Sequence, residues 1–542
     1  MKTTTSTIDY PINDSLSRCA LILIPFVLMY VAVLPGAHAV SPVPDGGYAG
    51  GNTAEGQNAL LRLTTGTFNT AVGFLSLGSD TEGQFNTAVG AGALLANVGD
   101  PGSSAGVENT ATGAGALLSN TTGDQNTATG AFTLSGNTEG EANTANGFEA
   151  LFNNTTGTSN TAIGAFALFS NTEGGRNNAV GASALTSNVT GIFNNAVGSF
   201  SLLANTTGAS NNAFGDEALS SNTTGDHNTA IGDDALRDNT TGTGNTANGA
   251  GALAFNTTGN SNTASGLGAL ASNTFGSANT ATGFQALFSN TTGSSNNALG
   301  PAALTANTTG GNNEAIGDSA LHDNSTGNNN VALGDGALFN NTTGSANIAL
   351  GVEAGVNVTN ANNVICIGTA GVNLSGGCFI GNIFGATSGG GISVFINSDG
   401  QLGTMQSSRR FKDEIKPMEQ ASDALFALKP VTFRYKKEFD SQRIQQFGLV
   451  AEDVDKVNPD LVVRDKEGKP YSVRYEAVNA MLLNEFLKEH RRNEEQQATI
   501  AQLKSGMVAL TATVKEQATQ IQKVSTELDV SRSAPQVVDS NY

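Results

Sequence analysis

One short segment concentrates the residue types that can do covalent chemistry: Gln406-Ser407-Ser408-Arg409-Arg410-Phe411-Lys412. A serine hydroxyl is a poor nucleophile until a base takes its proton. A lysine serves as that base once burial or neighbouring cations lower its pKa, and Arg409 and Arg410 are such cations. Ser407 directly follows the Gln406 carbonyl, so its attack there forms an ester that water can hydrolyse. A backbone donor must hold the oxyanion, and the sequence does not identify it. On these residues alone the segment reads first as a basic strand entering a domain. Ser408 stands beside Ser407 as a rival nucleophile.

Other reactive types are sparse. Cys366 and Cys378 lie in apolar strand-like runs and read as a disulfide or as two free thiols; Cys19 lies near the N-terminus. Two Cys with no His nearby make a poor metal site, so no metal or cofactor is expected. Asp216, Glu217, Asp233 and Asp234 supply carboxylates. A polysaccharide-degrading site needs such a pair across a groove, but no insertion builds a cleft there.

The segment from Ser407 to Lys412 leads into ordinary globular patterning. Ala421 to Leu428 reads as a helix, Val431 to Tyr435 and Gln446 to Val450 as strands, with a short helix to Val457. A strand pair follows, Leu461 to Arg464 and Tyr471 to Val473, and a helix begins near Tyr475. Four blocks in order carry a resemblance: Ser407 to Lys412, the run Leu428-Lys429-Pro430-Val431 with Phe433 and Tyr435, Gly448 to Val454, and Tyr475 to Leu483. Over roughly Gly403 to Arg492 the chain resembles the C-terminal intramolecular chaperone of phage endosialidase tailspikes, a self-cleaving serine–lysine peptidase type. The resemblance implies homotrimerisation, assistance to folding of an upstream fibre, and release by self-cleavage. It assigns Ser407 as nucleophile, Lys412 as general base and Gln406–Ser407 as the scissile bond. Ser408 stands where the family often has Asp. A single-turnover self-cleaving peptidase is expected, with no external substrate.

Beyond residue 492 a heptad pattern places Ile500, Met507, Val514, Ile521 and Leu528 at a, and Leu503, Leu510, Gln517 and Val524 at d. Sustained 3–4 spacing predicts a coiled coil over 493–530, followed by a fraying tail over 531–542.

Upstream, eighteen copies of a seventeen-residue unit run from Asn52 to about 360, interrupted once near Pro101 by six extra residues. Each reads roughly Asn-Thr-Ala-x-Gly-x-x-Ala-Leu-x-x-Asn-Thr-Thr-Gly-x-x. A fixed short period means a solenoid. The unit suits one β-coil of two short strands, with Asn-Thr-Thr-Gly as turn chemistry. Coils about 4.8 Å apart would make a rod on the order of 85 Å. One Leu and a few small apolar residues per coil are a thin core, which predicts that several chains share it. The fold class expected is mostly β: a long β-solenoid resembling the heads of trimeric autotransporter adhesins, an apolar Gly-rich cap over 361–403, a small α+β chaperone domain over 404–492, then the coiled coil.

The chain has 542 residues and net charge −20, yet the repeats contain no Lys and only Arg62, Arg176 and Arg237. Nothing there neutralises phosphate, which excludes nucleic acid as a partner of the rod. At the N-terminus Lys2, Arg18, the apolar run Ala20 to Leu34 and Ala37-His38-Ala39 read as an export signal over 1–39, with a linker over 40–51. The reading is an exported, adhesin-like homotrimeric fibre at the cell surface or secreted, without a membrane segment after signal removal. Surface glycans or host matrix are partners such a fibre would meet. A purely structural fibre with its chaperone still attached is the alternative.

Overall fold

The computed structural model describes residues 48–100 and 102–531. The expected signal, most of the linker and the tail after Ser531 lie outside those residues. The chain divides into two compact units, residues 1–386 and 387–542.

The first unit is a β-solenoid. Twenty three-residue strands, β1 (Thr53–Glu55) to β20 (Cys378–Ile380), pair in parallel, each with the strand one coil on. Register is strict: Ala213 faces Ala230, as Ala196 faces Ala213. The sheet runs past residue 360 through β19 (Ile365–Ile367) to β20.

Each coil holds one strand, not the two expected. The Ala-Leu half cannot continue as a strand because two of its residues take left-handed backbone. Leu202 has φ 51°, Leu219 φ 54° and Leu236 φ 53°. Such a conformation costs about 1–2 kcal/mol for a residue with a Cβ. Complete burial of a Leu side chain returns about 1.5–3 kcal/mol, and these leucines are fully buried. Where Leu fails, in the last copy, Gly355 stands with φ 69°; a Cβ there would meet Leu338 Cδ2 at 2.9 Å. The invariant fifth-position Gly has a steric reason too. At Gly198 φ is 136° and a Cβ would fall 2.2 Å from the Gly215 carbonyl oxygen.

The thin core is closed within one chain rather than left open for sharing. A typical coil holds two Ala, one Leu and two Asn, all buried, with Ser76, Thr133 and Ser201 in place of one Ala. The Asn residues read as turn chemistry are internal ladders. Asn205 Nδ2 donates to Asn188 Oδ1 (2.8 Å) and to the Gly208 carbonyl (2.9 Å). In the other column the Asn211 backbone N–H donates to Asn194 Oδ1 (3.1 Å), and its Nδ2 to the Gly225 carbonyl (2.8 Å). Buried polar groups are tolerable only when so paired, and stacking identical coils supplies the partner every time.

The second unit is small and mixed. It opens with an antiparallel pair, β21 (Val394–Ile396) and β22 (Leu402–Thr404). A 3-10 helix spans Glu419–Ala427. Then β23 (Val431–Phe433) pairs with β24 (Gln446–Gly448), and α1 (Ala451–Val457) follows. β25 (Val462–Arg464) pairs with β26 (Pro470–Val473) around a turn in which Asp465 Oδ1 accepts from the N–H of Glu467 and Lys469. α2 is one continuous helix, Tyr475–Ser531. Val454, Leu461, Val473, Val478 and Met481 form the core where α1, the β25–β26 pair and the start of α2 meet. The heptad positions of α2 are exposed, from Ile500 to Leu528.

Candidate functional site

Ser407 and Lys412 sit at the entrance to the second unit, on either side of a short 3-10 turn, Arg409–Phe411. The turn closes through backbone bonds from Phe411 N–H to the Ser408 carbonyl (3.0 Å) and from Lys412 N–H to the Arg409 carbonyl (3.1 Å). This fold-back brings residues five apart in sequence together: Lys412 Nζ donates to Ser407 Oγ at 3.2 Å. An extended strand, the other reading of this segment, would hold them about 16 Å apart. Among the described residues Lys412 makes no ion pair, unlike Lys416, Lys436, Lys456 and Lys488. Both side chains of the pair are exposed.

The neighbours separate. Ser408 opens the turn without a side-chain capping bond. Arg410 lays its guanidinium over the Phe411 ring, 4.6 Å from its centroid, so a cation rides beside the turn on an aromatic face. Gln406 is exposed, as Ser407 and Ser408 are. A proton leaving Ser407 Oγ therefore has one side-chain acceptor within hydrogen-bond reach, the amine of Lys412 in its neutral form.

A second serine–lysine pair was not visible in the sequence. Ser422, fully buried in the 3-10 helix, bonds Glu485 on α2 and receives Asn484 Nδ2 (2.6 Å) and Lys488 Nζ (3.3 Å). Lys488 also donates to Asp423 and Glu485, each at 2.7 Å. Asp423 and then Glu485 push the Lys488 amine upward, and Lys488 and Ser422 hold Glu485 below its ordinary range. A lysine kept charged by two carboxylates is not a base. This cluster is a clamp between the 3-10 helix and α2, and its distances resemble those at Ser407 while its chemistry does not. Only the 62-residue separation hid it: no local signal links Ser422 to Asn484.

The remaining candidates disperse over the solenoid. Cys366 points into the core and Cys378 outward; both are free thiols. Their strands pair with Cys366 opposite Phe379 and Ile365 opposite Cys378, which puts the two sulfurs on opposite faces of the sheet. Burial pushes the Cys366 thiol up. Asp216 and Asp233 repeat one coil position, exposed, and Glu217 and Asp234 repeat the next. Two of the three repeat arginines serve the coil surface: Arg176 lies over Phe193 (5.2 Å) and Arg237 over Phe255 (5.1 Å). Among the described residues no cluster of His, Cys, Asp or Glu is placed to hold a metal ion, and no helix is long and apolar enough to cross a membrane.

Asp80 is an unannounced irregularity. It occupies the ladder position that Asn fills in later coils, fully buried. Oδ1 accepts from Asn97 Nδ2 (3.0 Å) and the Gly99 N–H (3.1 Å), while Oδ2 has no hydrogen-bond partner. Burial pushes this carboxyl above the usual range, and the bonds from Asn97 and Gly99 only partly offset it.

Residues 407–463 match the family model described as chaperone of endosialidase. The match begins on Ser407 and takes in three of the four blocks that carried the resemblance. No curated protein and no solved structure matches the chain. The segment that matches this model follows a long β-solenoid in the sequence.

Proposed function

We propose that the chain is an exported, adhesin-like homotrimeric fibre whose C-terminal unit drives assembly and then releases itself by cutting Gln406–Ser407. The observation that carries this reading is the 3.2 Å contact between Lys412 Nζ and Ser407 Oγ, at the start of the matched segment.

In the reaction, neutral Lys412 takes the Ser407 hydroxyl proton as Oγ adds to the Gln406 carbonyl carbon. The C–N bond then breaks, Lys412 returns the proton to the departing Ser407 nitrogen, and an ester links Gln406 to Ser407 Oγ. Water hydrolyses that ester, leaving a Gln406 carboxylate and a new N-terminus at Ser407. The chaperone is consumed once and no external substrate is involved. Both side chains are exposed in the single chain, whereas a lysine base needs desolvation. Packing of further copies around the junction is what would cover the pair, so cutting would follow assembly.

The exposed heptads of α2 support the assembly role. Helices joined through those positions raise the local concentration of the solenoids and offset the entropy of aligning them. Intact-mass analysis of purified protein tests the reading. A fragment beginning at Ser407, absent from Ser407→Ala and Lys412→Ala, is the expected result. An uncut chain in a verified trimer would leave the purely structural fibre as the answer.

A further inference from the structure

The outward face of the solenoid sheet differs from the rest of the coil surface. From β2 to β19 each strand buries its middle residue and turns the two flanking ones outward. Among these flanking residues of β1 to β20, Glu55 and Glu314 alone are charged. The turns carry the coil's other charges, including Asp216, Asp233, Asp318 and Asp335.

The third strand residue forms a continuous column, and that column is written in blocks. Ile163, Val180, Val197, Phe214 and Ile231 follow one another in register on consecutive coils. Asn248, Ser265 and Thr282 interrupt them. Leu299, Ile316, Leu333, Leu350 and Ile367 then form a second apolar run. Before the first run stands a matching polar block, Thr112, Thr129 and Asn146. In the last coils the first strand residue turns apolar as well, at Val331, Ile348 and Ile365, so the face widens from one apolar column to two. Ile163, Phe214, Ile231, Leu299 and Leu333 are exposed despite lying on a regular sheet.

We infer that this sheet face is where two further copies of the chain pack, side by side and in register, with the blocked column at the three-fold axis. The inference rests on the self-association proposed above and specifies its geometry. Three identical chains around an axis bring like positions together. Turn columns placed there would set Asp216, Asp233, Asp318 and Asp335 against their own copies, whereas the sheet face meets itself with only Glu55 and Glu314 charged. Its size suffices: twenty coils about 4.8 Å apart and a strip ~10 Å wide give on the order of 900 Å² per chain, against ~800 Å² per partner in a standard interface.

The blocks answer a problem that exact repetition creates. Rods built of equal coils can slide past one another with little penalty. A slip of four coils sets each polar block against the middle of an apolar run. A slip of eight coils restores the match, because the two polar blocks and the two runs repeat at that spacing. The column therefore rejects intermediate slips, and the doubled apolar column at the C-terminal end distinguishes true register from the eight-coil slip.

Disulfide trapping in the full-length chain tests this, in a Cys19→Ala, Cys378→Ala background that retains buried Cys366. Phe214→Cys is expected to form covalent dimers on mild oxidation, and Thr207→Cys, on an exposed turn, is not. Co-expression of Phe214→Cys with Leu350→Cys, eight coils apart, should give homodimers and no mixed disulfide. The double variant Phe214→Asp, Ile231→Asp changes exposed side chains, so the coils still form, but it should leave the solenoids open to protease in a chain that remains trimeric by mass. A trimer with no Phe214→Cys crosslink, or with mixed disulfides as abundant as homodimers, overturns the inference while the assembly reading stands. A monomer by light scattering overturns both.

Discussion

Lys412 Nζ stands 3.2 Å from Ser407 Oγ across a single 3-10 turn, and no carboxylate pairs with that lysine among the described residues. The contact as drawn has the ammonium donating to the hydroxyl. Catalysis needs the reverse, with a neutral amine receiving the serine proton. Lys412→Arg separates the two situations. Arginine keeps the charge and the hydrogen bond but does not give up its proton. Self-cleavage should fall by about a hundredfold or more in Lys412→Arg, read as the fraction of intact chain over time. Ser408→Ala should cut normally. Loss of cleavage in Ser408→Ala with retention in Ser407→Ala would move the nucleophile by one residue.

Asp80 predicts a stabilising substitution. Its Oδ2 is buried without a partner, a defect that costs about 1–3 kcal/mol. In Asp80→Asn the amide nitrogen can donate to the Gly83 carbonyl, as Asn205 does to Gly208. The pH sign follows from the raised carboxyl. A folded-state pKa above the unfolded value means the folded chain holds the extra proton, so the wild type loses stability as pH rises from about 4. The melting temperature of Asp80→Asn should exceed the wild type at neutral pH, and the gap should close in acid. A constant gap would show that the carboxyl is not raised.

What the sequence disclosed follows from which interactions are local or repeated. The seventeen-residue period announced the solenoid because every coil meets an identical coil, so the pairing of Ala213 with Ala230 is written in the repeat itself. The contact at the junction was legible because Ser407 and Lys412 are five residues apart and one turn joins them. The inside of the coil was misread. Asn205 looks like a turn residue, and only a backbone that turns Leu202 into left-handed space directs the Asn side chain inward. That inward turn also closes the core, which is why the expected sharing of a thin core gives way to a core complete in one chain. The clamp at Ser422 escaped notice because its partners come from 62 or more residues away on α2.

The ladders make the Asn columns intolerant of apolar replacement. Asn205 links Asn188 and Asn222 through two bonds of 2.8 Å and holds the Gly208 carbonyl. Asn205→Leu matches the volume but strands Asn188 Oδ1 in the interior, leaves the Gly208 carbonyl to Asn194 alone and the Asn222 amide to the Gly225 carbonyl alone. The stranded acceptor costs about 1–3 kcal/mol, and in a solenoid the damage concentrates on the nearest interfaces. Limited proteolysis should therefore open the rod near residue 205 while distant coils stay protected. A replacement tolerated without local cleavage would show that the ladder contributes shape alone.

The Ser422 clamp predicts a two-sided pH response of the chaperone unit. Glu485 is held below its ordinary range, first by Lys488 and then by Ser422. Its contribution is complete above the unfolded value of about 4.3 and disappears as pH falls through the lower folded value. Lys488 is raised, first by Asp423 and then by Glu485. Its contribution is complete below about 10.4 and is lost as pH rises through the higher folded value. Lys488→Met removes the cation from both carboxylates, so Glu485 should titrate closer to an ordinary glutamate by NMR. The variant should also lose stability most between those limits, where both charges are present in the wild type. Cleavage at Gln406–Ser407 in Lys488→Met should persist wherever the unit still folds, because this lysine positions a helix and takes no proton from the reacting serine. A variant that folds by circular dichroism yet no longer cuts would place Lys488 in the reaction.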